Sequence, residues 1–150
     1  MDFTEIVTVF ARRHALEGPV PQTGQTTLDI EGIPVTLVKT PAHLVAGAEI
    51  GEPPAGGRAE FADLLLEANL ESTSYFANVR ETGRYVLLRI LPLATLNPDT
   101  FDEALETLVN TAETWRRLLT DFRPASTEAS AEAAAGAEAP AFGPGGFLQV

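Results

Sequence analysis

Cysteine is absent from the 150-residue chain, and only two histidines are present. Without cysteine the chain has no disulfide framework, no thiolate nucleophile and no cysteine-ligated zinc or iron–sulfur site. His14 and His43 lie far apart in the sequence and belong to no HxxxH or HExxH pattern, so a histidine metal site is not expected either. We therefore expect no metal and no cofactor.

Positive charge and long apolar runs are also scarce. Ten Lys and Arg stand against 21 Asp and Glu, a net charge of −11, and such a chain repels both nucleic acid and anionic lipid. No apolar run approaches the about 18 residues that span a bilayer, and the first residues lack the basic and apolar regions of a signal peptide. The sequence predicts a cytoplasmic protein that neither binds nucleic acid nor inserts into membranes.

Catalytic motifs are missing as well. None of the serines lies in a GxSxG pattern, and the glycines at 56 and 57 precede a predicted helix without the lysine of a phosphate-binding loop. Acidic residues cluster at the start of the last predicted helix, where the helix dipole favours them. We therefore expect no catalytic residue. An enzyme would need a convergent polar pocket, which the sequence alone does not exclude.

The composition divides the chain near residue 124. From there to residue 150 the chain is rich in Ala, Glu, Ser, Gly and Pro and has no Lys or Arg, which predicts a disordered tail. Three of the 21 acids lie in this tail, so residues 1–123 keep 18 acids against ten bases. We expect one acidic domain at 1–123 and a tail at 124–150.

Hydrophobic spacing predicts three helices. The first begins after Asp2 and ends before Gly18-Pro19, the second covers about 59–70, and the third follows Asn97-Pro98, an N-cap with proline at the first helical position. The third helix has the strongest pattern. Its apolar residues alternate at spacings of four and three, namely Phe101, Leu105, Leu108, Ala112, Trp115 and Leu119.

Alternating apolar residues predict two hairpins. The first turns at Glu31-Gly32, and the second joins a strand at 75–79 to a strand at 85–91. A further strand is expected at 44–50, and Pro34, which has no N–H, should face an edge or a gap in pairing. The order α-β-β-β-α-β-β-α predicts an α+β fold, a twisted antiparallel sheet with three helices.

Two segments carry more apolar residues than one buried face requires. The strand at 85–91 is apolar on both sides, and the leucines at 64, 65 and 66 widen the apolar arc of the second helix. Either the monomer has three layers, or these residues form a surface for a second copy or another partner.

Three segments together resemble a known family. Residues 61–70 contain an LLxxNL pattern, residues 85–96 form a strand that ends in LPLxxL, and residues 101–118 form a helix with an AExWR-like stretch. In this order and spacing they resemble the class I chaperones of bacterial type III secretion, the Tir chaperone-like group.

The resemblance implies a cytoplasmic homodimer without enzymatic activity. Such a chaperone binds the N-terminal region of a secretion effector in extended form and keeps it secretion-competent. A strand added to a sheet edge, with alternate side chains in surface grooves, gives this mechanism a physical basis. A generic dimeric adaptor for folded partners is the alternative.

The resemblance and the apolar pattern also suggest site residues. The expected dimer interface comprises Leu64, Leu65, Leu66, Tyr75, Phe76 and Val79. The expected effector-binding residues are Phe3, Ile6, Val7, Phe10, Val35 and Leu37. The alternative for this second set is that its members are ordinary core residues.

Overall fold

A computed structural model describes residues 2–17 and 23–125 and contains the predicted order of elements. The helices are α1 (Phe3–Arg13), α2 (Arg58–Glu71) and α3 (Pro98–Asp121), with a short 3-10 turn at Leu93–Thr95. The strands are β1 (Gln25–Ile30), β2 (Ile33–Lys39), β3 (His43–Gly51), β4 (Tyr75–Asn78) and β5 (Tyr85–Pro92). The α+β prediction is confirmed. The predicted tail lies outside the described residues except for its first two positions.

The five described strands form one antiparallel sheet in the order β1-β2-β3-β5-β4. Glu31 and Gly32 connect β1 to β2 with φ angles of 54° and 81°, the positive values that a two-residue hairpin turn requires. β1 and β4 are therefore the two edges of the sheet.

Pro34 interrupts pairing as predicted. The Lys39 N–H donates to the Gly24 carbonyl at 2.7 Å, and Ile30 lies opposite Ile33. The backbone N–H and C=O groups that point toward β1 are therefore those of residues 33, 35, 37 and 39. The backbone nitrogen of Pro34 therefore points toward β3, and the β2–β3 register begins only at Val35 opposite Ala48. A proline cannot donate to this ladder, so the ladder stops beside it.

α1 begins where the sequence predicts. The Asp2 side chain accepts a hydrogen bond from the Phe3 N–H at 2.8 Å, which caps the first turn. The helix ends at Arg13, and Ala15 takes a left-handed φ of 50°. The predicted end signal, Gly18-Pro19, lies outside the described residues.

One face of the sheet, the inner face, forms the core with α1 and α3. α3 crosses β2, β3 and β5, and α1 packs against α3, with the rings of Phe10 and Phe101 in edge contact at 5.4 Å. The buried strand residues alternate along each strand, as expected for a sheet covered on one side. They include Leu28, Val35, Leu37, Leu44, Ala46, Ala48, Leu87 and Leu91.

Side chains at the start of α3 fix its position. At its start, the Asn97 side chain accepts from the Asp99 and Thr100 N–H groups at 3.0 Å in a capping box. The Arg13 guanidinium donates to the Asp99 and Asp102 carboxylates at 2.9 and 3.4 Å, and the hydrogen bond that Asp99 accepts is the main cause that raises the pKa of Arg13 above its ordinary value. The acids that cluster at the start of α3 thus also join it to the end of α1.

Beyond α3 the chain packs against the loop before α2. Gly57 has a φ of +69°, and a Cβ on it would lie 2.6 Å from the Pro124 side chain and 2.9 Å from Phe122. Only glycine fits this close approach. The packed body therefore extends at least to Pro124.

Candidate functional site

The second face of the sheet, here the outer sheet face, lies opposite α1 and α3. Its strand residues are only partly buried or exposed, and the exposed large apolar or aromatic side chains among them are Val38 at 36%, Tyr75 at 38% and Ile90 at 44%. A shallow cleft of about 260 Å³ lies on this face. Its lining is mostly apolar and comprises Pro34, Thr36, Val38, Val45, Gly47, Glu49, Val79, Val86 and Leu88.

Strand register explains how these residues come together. Val38 lies opposite Val45 and Val45 opposite Ile90, so three strands contribute one apolar row. Gly47 lies between Thr36 and Leu88, and a Cβ there would lie 3.1 Å from the Leu88 side chain. The missing side chain leaves a depression in the centre of the face.

Charge lies at the border of the outer sheet face. The Arg84 guanidinium contacts the Glu49 carboxylate at 2.6 Å, which compensates the one acid that lines the cleft. Across the sheet, the hydroxyls of Thr27 and Thr36 lie 3.1 Å apart in hydrogen-bonding contact. The surface thus offers apolar contact with a polar rim.

The β1 edge adjoins this face. Every second residue of this segment directs its backbone N–H and C=O groups toward β2, namely Gly24, Thr26, Leu28 and Ile30. The backbone groups of the intervening residues therefore point away from the sheet. Those residues are Gln25, Thr27 and Asp29. An extended segment can pair with this edge and place alternate side chains on the outer sheet face.

A second apolar surface, the α2–β4 cleft, lies between helix α2 and strand β4. It has a volume of about 160 Å³ and is lined by Ala62, Leu65, Leu66, Asn69, Phe76, Ala77, Asn78 and Tyr85. Leu66 and Leu70, one helical turn apart, are 63% and 86% exposed beside it. Exposed leucines next to an apolar cleft are typical of a protein–protein contact.

Comparison with known proteins gives the family. Residues 5–116 match the model of the Tir chaperone protein (CesT) family. The chain belongs to this family. The resemblance inferred from the three sequence segments is thereby confirmed, whereas no curated protein matches the chain significantly.

Solved structures of chaperone complexes share the fold. The ExsC–ExsE complex contains a chain with 22% identity and a TM-score of 0.67, covering 79% of this chain and 97% of that chain. The ExoU–SpcU complex of Pseudomonas aeruginosa type III secretion gives 18% identity, TM-score 0.62 and coverages of 76% and 98%. The Yersinia pestis type III secretion chaperone SycH, in complex with a fragment of YscM2, gives 21% identity, a TM-score of 0.60 and coverages of 76% of this chain and 99% of that chain.

The residues expected to bind an effector lie in the core of this Tir chaperone family member. Each of the six is at most 3% exposed. They are Phe3, Ile6, Val7, Phe10, Val35 and Leu37. Their burial favours the alternative that they are core, because no side chain of the set reaches the surface. The first hairpin does lie at a sheet edge, but its other face carries the accessible residues.

The six residues expected at a dimer interface occupy different environments. Leu65 and Phe76 are buried, whereas Leu64 and Leu66 are exposed and are separated by about 200° around the helix. Tyr75, which is exposed, and Val79 belong to the outer sheet face. Leu66 alone of the three leucines is both exposed and beside the α2–β4 cleft. The interface therefore stays a prediction.

The sequence contained a signal for the outer sheet face that periodicity alone could not interpret. The strand at 85–91 is apolar on both sides, and the structure buries Leu87 and Leu91 while Val86, Leu88 and Ile90 face outward. The apolar outward positions at Val38 and Val45 lack such a signal, because they depend on which strands become neighbours.

Residues 2–17 and 23–125 contain neither a metal-binding cluster nor a membrane-spanning helix. Within them, no group of three or more His, Cys, Asp or Glu is arranged to hold a metal ion. No helix there is long and apolar enough to cross a bilayer.

Proposed function

We propose that this protein is a cytoplasmic chaperone that binds the N-terminal region of a type III secretion effector in extended form and keeps it secretion-competent. Membership of the Tir chaperone family supports the class. A chain of the HopA1–SchA chaperone–effector complex shares the fold. We propose no catalytic step and no cofactor.

One observation carries the proposed binding mode: the outer sheet face is apolar and continuous with the β1 edge. An extended segment paired with Gln25, Thr27 and Asp29 would direct every second side chain toward this face. Apolar side chains there remove surface from water at about 25 cal/mol for each Å². An unfolded segment loses conformational entropy on binding, so the surface needs several such contacts.

The α2–β4 cleft supports a homodimer. A second copy related by two-fold symmetry could place its own Leu66 and Leu70 against the cleft, as an isologous contact requires. Leucines that are accessible in one chain would then be buried in the assembly. The effector surface and the dimer surface would remain separate.

The proposal is tested with the effector that co-purifies with the tagged full chain from its native host. The effector's N-terminal fragment should bind alone, and its deletion should abolish binding, because the chaperone recognises an extended segment. Val38→Asp combined with Ile90→Asp should weaken binding of the fragment at least tenfold. Thr114→Asp, at an exposed position of α3, should not. Binding that survives deletion of the fragment would favour the adaptor for folded partners.

A further inference from the structure

Asn69 on α2 makes two hydrogen bonds to one peptide of the edge strand β4. Its side-chain Oδ1 accepts from the Phe76 N–H at 2.6 Å, and its Nδ2 donates to the Phe76 carbonyl at 3.3 Å. An amide side chain carries one acceptor and two donors, so it pairs with a strand residue as a neighbouring strand would. Asn69 is the asparagine of the LLxxNL segment.

The two groups that Asn69 binds point outward from the sheet. The Val79 N–H donates to the Arg84 carbonyl at 2.8 Å, and Ala77 lies opposite Val86 in the same register. Because backbone direction alternates along an antiparallel strand, the N–H and C=O groups of Ala77 point toward β5 and those of Phe76 point away from it. The Phe76 N–H and C=O are therefore among the groups that an added strand would need, together with those of Asn78.

A second side chain covers the start of the same edge. Ser74 immediately precedes β4, and its N–H donates to Ser72 Oγ at 3.1 Å. β4 is also only four residues long. Short edge strands whose backbone is covered resist pairing with other chains.

The β1 edge differs. Among the described residues, no side chain makes a hydrogen bond to the outward backbone of Gln25, Thr27 or Asp29, and the Asp29 carboxylate binds Gly32 in the turn instead. The sheet thus has one open edge of three outward-facing residues. In the short edge strand β4 the outward-facing residues are Phe76 and Asn78, and the backbone of Phe76 is already paired with Asn69.

We propose that Asn69 is a specificity-determining residue that closes the β4 edge to strand addition and so restricts an incoming strand to β1. A second copy at the α2–β4 cleft then meets side chains and not a free backbone. Without Asn69, the β4 edge of one copy could pair with the β1 edge of the next, a head-to-tail contact that does not close. This inference concerns the sheet itself and holds whether or not the bound partner is an effector.

Residue-resolved amide hydrogen exchange on the full chain tests the first step. In the wild type, Phe76 should be protected like its ladder neighbour Ala77, although Phe76 does not face β5. Asn69→Ala should raise the ratio of the Phe76 rate to the Ala77 rate at least about tenfold. Asn110→Ala, the same change at an exposed position of α3, should leave the ratio unchanged. Free-peptide exchange of Phe76 in the wild type would overturn the proposal, even if the variant failed to fold.

Sedimentation velocity of the same proteins tests the consequence. Asn69→Ala should form concentration-dependent species larger than the wild type, and Asn110→Ala should not. Asn69→Asp keeps an acceptor for the Phe76 N–H and should associate less than Asn69→Ala. If Asn69→Ala deprotects Phe76 but sediments as the wild type does, Asn69 is only a local hydrogen-bonding residue and the proposal fails.

Discussion

Leu65 and Leu66 are adjacent in the sequence, but Leu65 is 4% exposed and Leu66 is 63% exposed. Both side chains line the α2–β4 cleft, but only Leu65 also belongs to the core of a single chain. Substitutions at the two positions therefore separate folding from association.

Leu66→Glu should convert the proposed homodimer to a monomer that remains folded. The carboxylate would be solvated in the monomer but unpaired in an apolar interface. Leu65→Glu should instead unfold the chain. Analytical ultracentrifugation with circular dichroism measures both effects, and a wild type that is monomeric at micromolar concentration would contradict the dimer.

Val35→Asp and Leu37→Asp should each abolish folding, because both side chains are fully buried on the inner face and an unpaired carboxylate there is costly. Val38→Asp, one residue further along β2 on the outer sheet face, should keep the wild-type circular dichroism spectrum. Thermal melts distinguish the positions. If Val35→Asp folds normally, the assignment of the two faces is wrong.

Asn97→Ala should lower the free energy of unfolding by about 1 kcal/mol, since it removes the acceptor that caps two N–H groups at the start of α3. Asn110→Ala within the same helix serves as the control. Urea denaturation measures the difference between the two. An equal effect of both substitutions would mean that the cap contributes nothing specific.

Asp102→Asn should lower the melting temperature modestly at low ionic strength, because Asp102 contacts Arg13 at 3.4 Å and His14 at 2.5 Å. The loss should shrink at about 0.5 M salt, which screens exposed charges. The neighbouring exposed acid Glu103, changed to Gln, is the control. A loss that does not depend on salt would show that the contact is not electrostatic.

Deletion of residues 126–150 should leave the melting temperature within a few degrees of the full chain, because their composition offers little apolar surface for a core. The cut follows Ala125 and keeps Pro124, which packs against Gly57. Scanning calorimetry measures the change. A loss above about 2 kcal/mol would show that the segment docks on the body.

The sequence by itself determined the elements and their order. The caps at Asp2 and Asn97, the turn at Glu31-Gly32 and the apolar spacing of α3 are local signals, because each depends on residues within one or two turns of the chain. The three family segments also depend on order and spacing, so the chaperone family could be inferred before the fold was known.

Tertiary structure alone decided which apolar residues are accessible. Alternation in β2 assigns Val35 and Leu37 to one face and Val38 to the other, but the covered face is set by where α1 and α3 pack. The closure of β4 by Asn69 likewise required the position of α2 beside Phe76. Residues that meet only after distant segments pack leave no local signal. For this reason the sequence could not show that the six predicted effector-binding residues are buried in the single chain, or that Val38 and Ile90 are accessible on the opposite face.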